Sequence, residues 1–275
     1  MLFRRVAEHV KQQNWTAVVI DFAIVVVGVF IGLQVANWNE ARGDRARELQ
    51  ILQEIRSDLA SDVDSYSLSL GTTLRRIITS NYIAQNSNNS ALSEWNIDEG
   101  MMRLGLSEET LIENTIESDA ELKSIWSNGV TDSIKQSLWS SAILVGNAQP
   151  GTAAFDSLVS SGNLGIIQNK GLIERLQEYH TMALGVINSQ NLTYRGARDA
   201  AIAVGHRHGL SGFSKVDEAE FLNLVSNTQE LSASLQTVLA FSHVHFKQVA
   251  ITKPIAEDAI ALIDAELAAR QRGIE

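Results

Sequence analysis

The chain has 275 residues, no cysteine, two prolines and a formal net charge of −10. Without cysteine there is no disulfide framework, no thiolate metal site and no cysteine nucleophile. The charge is uneven: residues 1–47 carry six Lys/Arg against four Asp/Glu, and residues 48–275 carry sixteen against twenty-eight. The acidic part is unsuited to nucleic acid, whose phosphates need clustered Lys and Arg, and it is repelled by anionic headgroups. Most of that acidity reads as solvated surface.

Residues 1–14 read as a short cytoplasmic tail carrying Arg4, Arg5 and Lys11. An apolar run follows from Trp15 to Trp38, interrupted by one carboxylate, Asp21. At about 1.5 Å per residue it covers roughly 35 Å, enough for the hydrocarbon core of about 30 Å. Trp15 and Trp38 suit the headgroup level, where the ring is half buried and its N–H stays wet, so they read as interfacial anchors. A cleaved signal peptide fits poorly. Cutting after Ala36 would place Gln34 at −3, no small-x-small pattern follows, and the run exceeds a usual h-region. An uncleaved anchor is expected. The flanks tie by the positive-inside count, with Arg4, Arg5 and Lys11 against Arg42, Arg45 and Arg47. The free amino group and the difficulty of translocating a short basic terminus favour a cytoplasmic N-terminus. The C-terminal domain is then expected in the periplasm.

Residues 39–275 are expected to form a soluble helical domain. Leu49, Leu52, Leu59, Val63, Tyr66, Leu70 and Leu74 recur at helical spacing, so a stalk helix is expected over about 39–80, fading into a loop at Gln85–Ser90. A second helical region opens at Ser107-Glu108-Glu109, with acids favourable to the macrodipole and Ile112, Ile116, Leu122, Ile125 and Trp126 inward. Asn128-Gly129 breaks it, and Thr131-Asp132-Ser133 restarts a helix carrying Ile134, Leu138 and Ile143, closed by Gln149-Pro150-Gly151.

Residues 152–161 read as a short helix with Phe155 and Leu158 inward, ended by Gly162. Asn169 should cap a long helix through Leu172, Leu176, Tyr179, Ala183 and Ile187, ended near His206–Gly209. A last helical stretch spans about Asp217–Arg272, with Pro254 expected to kink or split it. No segment alternates with period two. The fold class is all-α: one N-terminal transmembrane helix continuing into a bundle of three to four long helices, the bundle occupying about 107–272.

The span and its exit resemble a family of uncharacterised bacterial single-pass inner-membrane proteins. The resemblance rests on a basic start, the acid Asp21, Gly28, and the exit Leu33, Gln34, Asn37, Trp38, Asn39, Glu40, which matches an L-Q-x-x-N-W-N-E motif. The family more often has Glu where this chain has Asp21. A weaker match is Phe155, Leu158, Ser161, Gly162 and Leu164, in an F-x-x-L-x-x-S-G-x-L pattern. The resemblance implies location and architecture and carries no chemistry.

Asp21 is the expensive residue, because a charge at the bilayer centre costs about 3 kcal/mol on insertion scales. It lies six residues past Trp15, roughly 9 Å inside the boundary. Three roles stay open for it: an edge residue or inter-subunit contact, an ion or proton relay, and headgroup recognition. In layout alone the chain is similar to stator-rod and biopolymer-transport proteins of proton-driven motors. Gly28 and Gly32 form G-x-x-x-G on one helix face, which lets two backbones approach closely. Asp21 lies near that face; Gln34 is about 200° around from Gly32.

His206/His208 and His243/His245 are spaced i, i+2, wrong for two ligands on one helix face, so no metal site is expected. No G-x-S-x-G, P-loop or G-x-G-x-x-G is present, so neither an enzyme nor a cofactor is expected. The expected function is interaction: a self-associating component or accessory subunit of a bacterial envelope complex, with the lipid bilayer and a homo-oligomer or another membrane protein as partners. The alternatives are an ion- or proton-coupled subunit using Asp21, and a ligand-sensing periplasmic domain.

Overall fold

A computed structural model describes residues 15–89, 108–117, 119–144 and 146–272, with side chains between 19 and 270. The tail 1–14, the Trp15 side chain, Ser90 and Ser107 lie outside the described residues. Every regular element described is helical: α1 Trp15–Asn86, α2 Glu108–Glu117, α3 Ala120–Asn128, α4 Asp132–Lys135, α5 Leu138–Ala142 and α6 Ala153–Ser160. A 3₁₀ turn, Asn163–Ile166, leads to α7 Lys170–Asn188, a π-helical turn Ser189–Tyr194, α8 Arg195–Arg207, α9 Glu218–Asn227 and α10 Gln229–Arg272. The chain is all-α, opened by a long apolar helix. It divides into two compact units, residues 1–51 and 52–275.

In the first unit α1 is a bare helix: Val19 to Val35 expose most of their side chains, Phe22 at 69% and Phe30 at 63%. Among the described residues α1 is the one helix long and apolar enough to cross a membrane.

In the second unit α1 becomes a wall of the bundle. Leu52, Leu59, Tyr66, Leu70 and Leu74 are buried, and each fully buried leucine contributes about 1.5–3 kcal/mol. α10 packs mainly along α7 and α8. At one end Trp139 of α5 lies against Phe221 of α9, centroids 6.4 Å apart, among Ile83, Ile125, Leu210 and Leu235.

Local chemistry explains several boundaries. Asp119 accepts from the N–H groups of Glu121 and Leu122, so it caps α3 and divides what the apolar pattern reads as one helix. Trp126, expected inward, is 46% exposed. The new register buries Leu122 and Ile125 and turns the next position out. Asn169 caps α7 as expected, accepting from the Leu172 N–H, and Gly162 takes φ +70° after α6. The last helix departs from expectation: α10 runs unbroken through Pro254, and the split falls instead at Thr228, between α9 and α10. Pro254 sits in a 44-residue helix whose inward face holds Val249, Ala256, Ala259 and Ile263, and that packing outweighs one lost backbone bond.

Candidate functional site

The described residues expected to meet the membrane fall on the exposed part of α1. Asp21, Gln34, Asn37, Asn39 and Glu40 are exposed, and Trp38, 64% exposed, lies beneath the Arg42 guanidinium at 5.8 Å. Successive residues turn by about 100°, so Asp21 and Gly28 are about 20° apart and Gly28 and Gly32 about 40°. A Cβ built on Gly28 or on Gly32 meets nothing within 4 Å. These residues share a helix face, and no other described residue comes within 4 Å of a Cβ at either glycine.

The second cluster is one that apolar periodicity catches only in part, at Leu52, Leu59 and Tyr66. Leu52, Ile55, Leu59, Asp62, Tyr66, Ser69, Thr73, Arg76, Ser80 and Ile83 step by threes and fours along α1, and all are buried. This is the seam a coiled coil would fill with apolar residues, and its middle six positions are Asp, Tyr, Ser, Thr, Arg and Ser. A buried polar group is costly unless bonded; Ser80 Oγ finds no hydrogen-bond partner among the described residues, and the other five need and have partners. The connection between α5 and α6 supplies many of them. Its groups run antiparallel to α1: Asp62 Oδ1 accepts the Gly151 N–H at 2.6 Å, and Ser65 Oγ accepts the Gln149 N–H at 3.1 Å. Further along, Ser69 Oγ donates to the Gly146 carbonyl at 3.1 Å, and Arg76 Nη1 donates to the Leu144 carbonyl at 2.5 Å. Tyr194 Oη also donates to Leu144, at 2.8 Å, and Arg198 Nε to Ile143, at 3.2 Å. Gly146 permits this approach, since a Cβ there would lie 2.5 Å from Thr72 Cβ.

Two ionisable groups occupy the ends of the ladder. At one end, Tyr179 donates to Asp62 Oδ2 and shares a 3.0 Å hydrogen bond with Tyr66. Burial raises the Asp62 carboxyl above its ordinary value; the bonds from Tyr179 and Gly151 oppose that rise without reversing it. Both phenols are pushed up, chiefly by burial. At the other end Arg76 is fully buried. Its Nε donates to Ser242 Oγ at 2.7 Å, its Nη2 to Thr73 Oγ1 at 3.2 Å, and its guanidinium lies 4.0 Å from the Tyr194 ring centre. Burial lowers its pKa to about 10, so it stays a cation at neutral pH.

His245 completes this end. Its Nε2 is 3.2 Å from Ser69 Oγ, its Nδ1 3.0 Å from Ser189 Oγ, and its ring stacks with Tyr194 at 6.3 Å. Each serine also faces a carbonyl, Gly146 at 3.1 Å for Ser69 and Val186 at 2.8 Å for Ser189, so with a neutral ring one serine donates to His245 and the other accepts from it. Burial and the Arg76 charge lower the His245 pKa to about 4, which keeps the imidazole neutral. Ser189 and Tyr194 bound the π-helical turn, whose extra residue per turn rotates both inward; such turns often mark functional positions. His243, about 200° around α10 from His245, is also buried, whereas His206 and His208 are exposed.

Among the described residues no group of three His, Asp or Glu is placed to hold a metal. The cavity beside Tyr179 and His180 is about 10 Å³, space for one water. A larger groove of about 210 Å³ lies between Leu70, Leu111, Ala250 and Pro254. No protein-family model, curated protein or solved structure matches the chain.

Proposed function

We propose that the chain is a membrane-anchored helical protein of the bacterial inner membrane that acts by association rather than catalysis. Its span self-associates through Gly28 and Gly32, or joins another membrane subunit of an envelope complex, and the bundle presents a periplasmic binding surface. The observation that carries this is the uncovered apolar helix face from Val19 to Val35, open at both glycines. In water such a surface is unfavourable in proportion to its area. In lipid it is satisfied, and close backbone packing then supplies the drive to pair. The resemblance to single-pass inner-membrane proteins at Asp21 and at Gln34–Glu40 supports the same location.

The chain has no cysteine, so any introduced one reports alone. Single cysteines at successive positions from 24 to 36 should cross-link in native membranes with helical periodicity centred on the glycine face. Gly28→Leu should abolish the cross-link while Asp21→Asn leaves it intact. A uniform absence of cross-linking, with a monomer in mild detergent, would sink the association. Loss of assembly with Asp21→Asn would make Asp21 an inter-subunit contact, whereas loss of activity with assembly intact would favour the ion-coupled alternative. A compartment-specific reporter fused after Glu275 decides the orientation.

A further inference from the structure

We propose that His245 and Arg76 form a proton-triggered lock on the α5–α6 connection, closed while His245 is neutral and loosened when His245 takes up a proton.

The argument rests on what faces the imidazole. From α1 come Ser69 and the Arg76 guanidinium; from the π-helical turn come Ser189 and the Tyr194 ring. Arg198 of α8 adds a second cation beside Tyr194 and Arg76, and its own carboxylate partner, Asp199, lies at the surface. Among the described residues no carboxylate bonds or charges His245 or Arg76.

Hydrogen bonding does not oppose protonation. Ser189 has the Val186 carbonyl at 2.8 Å as an alternative acceptor, and Ser69 has the Gly146 carbonyl, so both hydroxyl oxygens can accept from a doubly protonated ring. What opposes the proton is charge: it adds a cation beside a fully buried guanidinium, where low dielectric magnifies repulsion. Arg76 cannot shed its proton instead, since guanidinium remains charged in proteins. Relief comes by moving Arg76, and Arg76 holds the Leu144 carbonyl. The lock therefore opens first at the Leu144–Gly146 end, while Asp62 still holds Gly151.

The test is hydrogen exchange on the full chain in detergent or nanodiscs, between pH 7 and pH 4, corrected for intrinsic rates. The amides from Gly146 to Gly151 and those of α10 around His245 should lose protection by up to tenfold per pH unit as pH drops from about 6.5 toward about 4, where the opened state binds the proton and the closed state does not. In His245→Gln, which cannot gain a charge, protection should stay flat over the same range. Unchanged protection in the wild type down to pH 4 overturns the proposal, as does the same loss in His245→Gln, which would assign the response to carboxylates whose ionised form the fold favours, such as Asp264 and Glu266. If His245→Gln fails to fold, NMR titration of His245 in the wild type replaces it. A midpoint near 4, where the loss of protection levels off, supports the lock. Titration near the ordinary histidine value with the connection still protected overturns it.

Discussion

Gly205 on α8 is set by one contact. A Cβ there would lie 2.4 Å from Trp139 Cζ2, and Trp139 is pinned because its indole N–H donates to the Ser211 carbonyl at 2.6 Å. A rigid ring held from behind has little room to move aside. Gly205→Ala should therefore destabilise the bundle by about 1–3 kcal/mol despite its gain in helix propensity, read as a fall in thermal midpoint. A neutral or raised midpoint would mean that the ring finds another seat. Asp62 makes a sharper case. Its raised pKa means that its ionised form is the less stable one in the fold: this contribution is present below the unfolded value and lost as pH rises through the folded one. Tyr179 opposes the rise by donating to Oδ2. Tyr179→Phe removes that donor and should cost about 1–3 kcal/mol near pH 7.5. The deficit should shrink near pH 4, where Asp62 approaches neutrality. Denaturant titrations of both proteins at the two pH values would show this, and an equal deficit at both would argue against it.

Helix α10 tolerates Pro254 in mid-course, because its inward positions on either side pack against the bundle. Pro254 is itself exposed and its N–H is missing from the ladder. Pro254→Ala should stabilise the domain by up to about 3 kcal/mol, measured by chemical denaturation; destabilisation would show that the groove lined by Ala250 and Pro254 needs the proline. The same helix shows where sequence reading succeeds and fails. Caps such as Asn169 and breaks such as Gly162 depend on side chains within three residues, and these were readable. Whether a proline splits a helix depends on distant packing, which local propensity does not contain. The buried seam of α1 was readable in part. Its seven-residue repeat is in the sequence, but its central positions are polar, so a search for apolar spacing follows the neighbouring stripe of Leu70 and Leu74. Only the three-dimensional course of the α5–α6 connection reveals why polar residues belong there.

At the scale of the molecule, the all-α class and the long apolar entry helix follow from periodicity alone, whereas the polar core required contacts between residues far apart in the chain. That core also shapes stability against pH. With His245 near 4 in the fold and about 6.5 unfolded, the unfolded chain binds the extra proton between those values. Stability should fall as pH drops from about 6.5 toward about 4, by roughly 3 kcal/mol from this residue, and then level. His245→Gln should flatten that slope in denaturation curves.

The ladder on α1 also bears on how the chain reaches its fold. Ser69 waits for His245, Arg76 for Ser242 and Arg56 for Asp264, separations of 176, 166 and 208 residues. Loops of that length close slowly, and such contacts form late. While synthesis proceeds from the N-terminus, α1 therefore leaves the ribosome with its polar seam unanswered, and it stays so until nearly the whole chain has emerged. Truncations that remove α10 should leave α1 without a stable neighbour and deliver the bundle to proteases, even though every residue of α1 is intact.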